Sequence, residues 1–205
     1  MIEKPTVYVI DDDDAVRKSI CWLLESIKLN VKDYASAEDF LDDYTMFKTG
    51  CILLDIRMPG MSGLQLQKEL NKNKFIMPII MVTGHGDVPM AVQSMRDGAL
   101  DFIEKPFNDQ RLLDLIKIAL DLDTENLKRR LENDAVIARL NNLTRREKEV
   151  LMLIAQELPN KTIANKLALS VKTVEYHRSH LMEKMHVKKV TQLLKLLSDN
   201  EIVFE

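Results

Sequence analysis

The 205 residues suffice for one large or two modest domains, and a composition of 46% hydrophobic and 30% charged residues is typical of globular proteins. No stretch approaches the length of a membrane span and the N-terminus carries no signal-peptide core, so we expect a cytoplasmic protein with no membrane partner. The net charge of −3 is uneven: residues 1–120 carry −5, residues 121–142 carry −1 and residues 143–205 carry +3, which indicates an acidic region followed by one that binds a polyanion.

Short apolar runs and helical patterns alternate over residues 1–120. Apolar runs bounded by turn residues predict strands at 6–10, 31–35, 51–56, 78–83 and 100–104. Apolar residues at helical spacing predict helices between them, at 16–27, 36–44, 63–74, 88–97 and 108–120. This alternation predicts an α/β domain over residues 1–120, with a doubly wound five-stranded parallel sheet and helices on both of its faces.

Residues 121–142 are predicted to form a helical linker. The segment contains no Gly or Pro, and apolar residues such as Leu127 and Ile137 are separated by charged ones. A heptad pattern that begins at Leu113 fails at Asp123, so a coiled-coil dimer and a solvated connecting helix both stay open.

Residues 143–205 are predicted to form a small all-α domain. The run Thr144-Arg-Arg-Glu147 is a capping box that begins one helix, and Ser170 caps another. A short helix at 160–167 followed by a longer one at 171–185 predicts a helix-turn-helix, in which the second helix enters the major groove of DNA.

Polar side chains stand at the carboxyl ends of four predicted strands. Asp11 and Asp12 follow the first strand, and Asp55 ends the third. Thr83 ends the fourth strand and Lys105 follows the fifth. Because the carboxyl ends of parallel strands meet at one edge of a sheet, where ligands bind, the sequence predicts a single site with three acids, a hydroxyl and an amine.

The predicted chemistry of this site is phosphoryl transfer assisted by a metal ion. Three converging carboxylates repel one another unless a cation joins them, and oxygen ligands favour Mg²⁺ or Mn²⁺. The predicted ligands are the side chains of Asp11, Asp12 and Asp55 and the backbone carbonyl of Arg57. Lys105 and Thr83 are expected to bind phosphoryl oxygens while Asp55 attacks phosphorus in line and becomes an aspartyl phosphate.

These residues resemble the receiver domain of bacterial two-component response regulators. The stretches Asp55–Gly63, Thr83–Ala91 and Asp101–Phe107 (DIRMPGMSG, TGHGDVPMA and DFIEKPF) are most similar to the FixJ branch, and the resemblance covers residues 6–120. It implies a flavodoxin- or CheY-like fold and phosphorylation of Asp55 by a sensor histidine kinase. It also implies a cis peptide bond before Pro106 and an aromatic switch residue, Phe102, that rotates when Thr83 moves.

The basic part of the chain resembles the LuxR-type helix-turn-helix. The stretches Leu143–Leu151, Leu158–Ala164 and Ser170–Arg178 carry the resemblance, which covers residues 143–197 and implies a double-stranded DNA operator as partner. Charge or position at a helix start assigns four residues to DNA phosphates: Lys161, Lys172, Thr173 and Arg178. The residues expected to read base edges are Glu175, Tyr176 and Ser179.

Two features of this region leave alternatives open. Glu175 either accepts from a base, usually a cytosine amine, or pairs with Arg178 and only orients it. Glu157, Ala168 and His186 stand where members of the family often carry glycine at helix ends. Each of them either accepts a left-handed backbone, at about 1 kcal/mol, or moves the helix end.

We therefore predict a transcriptional response regulator of the FixJ/NarL type and not an enzyme. Phosphorylation is expected to rearrange the face from Val88 to Phe102, and either homodimerisation or release of a covered DNA-binding domain then permits operator binding. Regulation of transcription also implies RNA polymerase as a partner.

Three other functions are the alternatives to this prediction. A phosphatase with an aspartyl nucleophile usually has a second acid two residues after it, where Arg57 stands. A DNA binder that ignores phosphorylation would not need every receiver position, yet all are present. A phosphorelay carrier is excluded only if the last third binds DNA.

Overall fold

The structure, a computed structural model, describes residues 4–45, 48–72, 77–84, 88–200 and 202. The chain divides into two compact units, Met1–Lys128 and Arg129–Glu205. The predicted domain boundaries at 120/121 and 142/143 stay a prediction. Within the described ranges, no helix is both long and apolar enough to cross a membrane.

The first unit is an α/β domain, as predicted. Its strands are β1 (Thr6–Ile10), β2 (Asn30–Tyr34), β3 (Gly50–Asp55), β4 (Ile79–Thr83) and β5 (Asp101–Glu104). They form one parallel sheet of order β2-β1-β3-β4-β5. The helices that alternate with them are α1 (Asp14–Ser26), α2 (Ala37–Asp43), α3 (Gly63–Lys72), α4 (Val88–Arg96) and α5 (Asp109–Asn141). The predicted end of the third helix, at residues 73–74, lies outside the described residues.

Helices cover both faces of the sheet, and because successive side chains of a strand point to opposite faces, each face has its own apolar cluster. On β3, Ile52 and Leu54 join an apolar cluster with Phe40, whereas Leu53 joins a second cluster with Leu24. All six residues of β3 are buried, so this central strand holds Asp55 at its end in a fixed position.

Helix α5 is 33 residues long and continues through the segment predicted as a helical linker. Asp123, at which the heptad pattern fails, is buried in the first unit, where its Oδ2 accepts a hydrogen bond from the Gly50 backbone N–H at 2.7 Å. Burial raises the pKa of Asp123. The carboxylate interrupts the apolar pattern of the helix, and it is the hydrogen-bond acceptor for the backbone N–H of the first residue of β3.

The second unit is all-α. Its helices after α5 are α6 (Arg145–Ala155), α7 (Asn160–Leu167), α8 (Val171–Lys184) and α9 (Val190–Asp199). The predicted capping box is present: the Glu147 N–H donates to Thr144 Oγ1, and the Thr144 N–H donates to Glu147 Oε2. Val174 and Leu181 of α8 are buried in the core of this unit, which leaves the opposite face of α8 outside that core.

The three residues that replace family glycines all adopt a left-handed backbone. Their φ angles are 57° at Glu157, 54° at Ala168 and 56° at His186. Of the two alternatives, the chain therefore accepts the unfavourable conformation and keeps its helix ends. Such residues cost about 1 kcal/mol each relative to glycine.

We predict that Ala168→Gly stabilises the second unit by up to about 1 kcal/mol, because glycine adopts the left-handed conformation without a steric penalty. Asn165→Gly, on the exposed side of α7, is the control and should lower stability by about the same amount. Urea unfolding followed by circular dichroism measures both changes. An unchanged or lower stability of Ala168→Gly would contradict the prediction.

Candidate functional site

The predicted acidic residues come together at the carboxyl end of the sheet. Asp11 follows β1 and Asp55 ends β3, and their exposed fractions are 1% and 6%. Asp12 is exposed, and one carboxylate oxygen from each of the three residues lies within 4.8 Å of the others. Such a group of oxygens can hold a divalent cation.

Lys105 places its ammonium group between the two buried acids. Its Nζ lies 2.7 Å from Asp11 Oδ2 and 3.5 Å from Asp55 Oδ1. The bond between Lys105 and Pro106 is cis, and the Lys105 N–H donates to the Thr83 carbonyl at 2.7 Å. Burial by itself lowers the pKa of Lys105, but the hydrogen bond and charge of Asp11, together with Asp55, raise it overall. The side chain therefore carries its charge at neutral pH.

Asp55 is held in an environment that disfavours its charge. Burial raises its pKa to about 6, and Asp11 and Asp12 add to the effect, while the positive charge of Lys105 opposes it. A cation among the three carboxylates would remove this repulsion. The donor set and its electrostatics thus fit a hard divalent metal.

The other predicted residues of this site, Thr83, Arg57 and Phe102, differ in how deeply they are buried. Thr83 ends β4 and is buried, with 3% of its surface exposed. Arg57, whose carbonyl belongs to the predicted ligand set, lies in the loop after β3, and its side chain is exposed. Phe102 pairs in register with Met81 on β4 and is partly buried against the apolar cluster that contains Phe40.

Three further residues that the sequence did not indicate shape the site. Arg17 is buried and its Nη1 donates to the Asp11 carbonyl at 2.7 Å, which fixes the end of β1. Glu38 accepts from the Met61 N–H at 2.9 Å and so holds the loop after β3. Gly63 packs so closely that a Cβ atom there would lie 2.1 Å from the Asp55 carbonyl oxygen. Charged residues in an acidic stretch or a first helical turn gave no signal for the contacts of Arg17 and Glu38.

Helix α8 presents the predicted DNA-contacting residues outside the core of the second unit. Lys172, Glu175, Tyr176 and Ser179 are exposed, as is Lys161 on α7. Thr173 is half-buried, and its Oγ1 lies 2.7 Å from Ser170 Oγ, which caps the helix. Lys172, Tyr176 and Ser179 follow one another at intervals of four and three residues and therefore share one helical face.

Arg178 is engaged within the unit. Its Nη1 donates to Asn160 Oδ1, at the start of α7, over 2.6 Å. Within the part of the chain that the structure describes, no salt bridge joins Arg178 to Glu175. The alternative in which Glu175 only orients Arg178 requires an ion pair between them, and the structure does not show one among the residues it describes. The guanidinium is instead oriented by Asn160.

Two family patterns match this chain. The response regulator receiver domain matches residues 7–117, and the luxR family of bacterial regulatory proteins matches residues 141–197. The transcriptional regulatory protein FixJ of Azorhizobium caulinodans is 44% identical over 196 residues, which are 96% of this chain and 93% of that protein. The transcriptional regulatory protein TdiR of Thauera aromatica is 41% identical over 189 residues, which are 92% of this chain and 83% of that protein.

Solved structures agree with these matches. The response regulator StyR superposes with a TM-score of 0.83 at 40% identity, over 96% of this chain and 99% of the other. Full-length FixJ from B. japonicum gives a TM-score of 0.60 at 37% identity, over 98% of this chain and 99% of the other. The chain therefore belongs to the two-component response regulators in which a receiver domain is followed by a LuxR-type DNA-binding domain.

Proposed function

We propose that Asp55 accepts a phosphoryl group from a partner histidine kinase and that the phosphorylated protein binds its DNA operator. The observation that supports this most directly is the position of Asp55, a buried carboxylate at the end of the central strand with the Lys105 ammonium 3.5 Å away. In-line transfer requires positioning and charge stabilisation more than acid–base catalysis, and this site offers both.

In this proposal each residue has a separate role. An Asp55 oxygen forms a bond to phosphorus while the bond from phosphorus to the kinase imidazole nitrogen breaks. Lys105 and Thr83 bind two of the phosphoryl oxygens. Mg²⁺, or Mn²⁺, would be held by Asp11, Asp12, Asp55 and the Arg57 carbonyl, and it would supply positive charge to the transferring group.

The phosphoryl signal then passes to the face from Val88 to Phe102. A phosphate adds negative charge and hydrogen-bond acceptors, which draw Thr83 inward and leave room for Phe102 to rotate. We propose that this change promotes either homodimerisation or release of the DNA-binding domain, with domains at 1–120 and 143–205. As a regulator of transcription the protein would then contact RNA polymerase, in the cytoplasm, where its DNA is.

The DNA contacts in the proposal divide into two classes. Exposed Lys161 and Lys172, together with the helix start at Thr173, contact phosphates. Arg178 joins them through the nitrogens that do not bind Asn160. Glu175, Tyr176 and Ser179 read base edges in the major groove.

The relatives are transcriptional regulators, and we propose that this chain likewise turns over no external substrate. The residue two positions after the nucleophile is Arg57, which cannot serve as the second acid of an aspartyl phosphatase. Slow loss of its own phosphoryl group is compatible with the proposal.

We predict that Asp55→Asn abolishes phosphoryl uptake from acetyl phosphate with Mg²⁺, because an amide cannot act as the nucleophile. Intact-protein mass spectrometry measures uptake, and light scattering measures the solution mass. Asp42→Asn, an exposed change on α2, is the control and should label normally. Normal labelling of Asp55→Asn would refute the site.

A dimer that forms only in labelled protein would favour dimerisation, whereas labelling without a change in mass would favour release of a covered domain.

We predict that Asp55→Asn also stabilises the metal-free receiver at pH 7.5. The pKa of Asp55 is about 6, above its unfolded value near 4, so the native state binds the extra proton between these values. The stability of the wild type therefore falls as the pH rises from about 4 to 6, by at most about 3 kcal/mol, and the variant lacks this loss.

Urea unfolding with a chelator, followed by circular dichroism at pH 4.5 and 7.5, tests this. The advantage of the variant should be larger at pH 7.5 and should shrink when Mg²⁺ is added, because the cation stabilises only the wild type. Asp42→Asn, the exposed control, should not gain the stability expected of Asp55→Asn. An equal difference at both pH values would contradict the assigned environment of Asp55.

We predict different effects for two variants of α8. Lys172→Ala should weaken binding to all DNA sequences and reduce the salt slope by about 1, because one phosphate contact is lost. Glu175→Ala should change the preferred base at one position of the site. Lys195→Ala, an exposed lysine on α9, controls for the loss of charge. Selection from a randomised duplex library and titrations at several salt concentrations measure both properties. If Glu175→Ala keeps the base preference of the wild type, Glu175 does not read a base edge.

A further inference from the structure

The exposed face of α8 carries an aromatic residue, Tyr176. Tyr176 shares this face with Lys172, Ser179 and Glu183, and 61% of its surface is exposed. The ring lies outside the core of the second unit, so core packing does not determine its orientation. On an open helix face such a side chain normally samples several rotamers.

His180 lies one turn further along the helix and contacts the Tyr176 ring. The two ring centroids are 4.4 Å apart with planes inclined at 62°, an edge-to-face arrangement. Helical side chains lean toward the N-terminus, so a residue four positions on covers the preceding turn. His180 therefore packs against one side of Tyr176. The ring of His177, the next residue in sequence, is further away, with a centroid distance of 5.7 Å.

We propose that His180 is a positioning residue that fixes the Tyr176 ring for base readout and thereby sets part of the operator preference. The inference rests on the proposed DNA-binding function of α8. It adds to that function by assigning part of the base preference to the pair of rings, Tyr176 and His180, and not to Tyr176 alone.

The physical reason is the entropy of an exposed side chain. A ring that is free to rotate must be ordered when it meets a base pair, and this ordering opposes binding to the correct and the incorrect base alike. A ring already held against His180 is ordered before binding. Only the base that complements this one orientation then gains the full contact, so discrimination between bases rises.

The contacts of His180 agree with a positioning role. Its side chain is 43% exposed, and its Nδ1 lies 3.9 Å from Glu183 Oε2, beyond hydrogen-bond distance. The contact of the His180 ring with the Tyr176 ring is therefore not accompanied by a hydrogen bond from His180 to Glu183. The edge-to-face contact depends on the aromatic ring and not on the imidazole nitrogens.

The test compares base preference in the full-length protein after treatment with acetyl phosphate and Mg²⁺. Wild type, His180→Ala, His180→Phe, Tyr176→Ala and the double alanine variant each select from the same randomised duplex library. Discrimination at each position is then measured by competition with single-base variants of the selected site. His180→Ala should keep the helix intact because alanine has a higher helix propensity, and circular dichroism checks this.

We expect His180→Ala to lose about two- to tenfold of the discrimination at the positions that Tyr176→Ala also affects, the range for one aromatic pair. His180→Phe should retain it, since the edge-to-face contact survives. The double variant should be no worse than Tyr176→Ala, and the salt slope of His180→Ala should equal that of the wild type because no phosphate contact is removed.

Three outcomes would overturn the inference while leaving the proposed function intact. His180→Ala could discriminate as the wild type does. His180→Phe could lose as much as His180→Ala, or the double variant could lose several-fold more than Tyr176→Ala, and either would mean that His180 contacts DNA itself. A wild-type protein that enriches no sequence would instead overturn the proposed function, and this inference with it.

Discussion

The receiver depends on an imbalance of charge at the carboxyl end of its sheet. Two carboxylates, Asp11 and Asp55, are buried within reach of one ammonium group, that of Lys105, and Asp12 adds further negative charge. Burial raises the pKa of Asp55, and because one cation cannot neutralise three acids, the charges of Asp11 and Asp12 add to this effect. A divalent cation bound at this site would therefore reduce the repulsion among the three carboxylates. Tight packing of β3 on both faces keeps the carboxylates from moving apart.

The sequence could predict this part of the molecule because its signals are local. A fully buried parallel strand requires an unbroken apolar run, so β1, β3 and β4 were recognisable one by one. The parallel sheet then brings the residues after each run to one edge, and this geometry unites Asp11, Asp55 and Lys105 without any knowledge of distances. The residues with a left-handed backbone at helix ends were indicated differently, by the resemblance to a family that often carries glycine at these positions.

Contacts that a side chain makes with a residue far away in the sequence could not be predicted in the same way. Asp123 looked like a defect in a heptad, but it accepts the N–H of Gly50, 73 residues away. Arg178 looked like a phosphate contact on charge alone, and its bond to Asn160 depends on how α7 and α8 pack. A polar residue on a helix has no periodic signal that distinguishes a buried partner from solvent, because both allow a polar side chain at that position.

The proposed movement of α4 is constrained by polar contacts in the same unit. Gln67 is fully buried on α3 and its Nε2 donates to the Ser94 carbonyl at 2.9 Å, while Asn71 Nδ2 donates to the Asp97 carbonyl at 2.7 Å. Both acceptors lie at the C-terminal end of α4, and breaking the buried bond would leave the Gln67 amide nitrogen without its partner, whereas the Ser94 carbonyl would keep the Ala99 N–H. A displacement of α4 that keeps these bonds is therefore a rotation about its C-terminal end. The largest movement then falls at the N-terminal end of α4, near Val88, which follows the strand that carries Thr83.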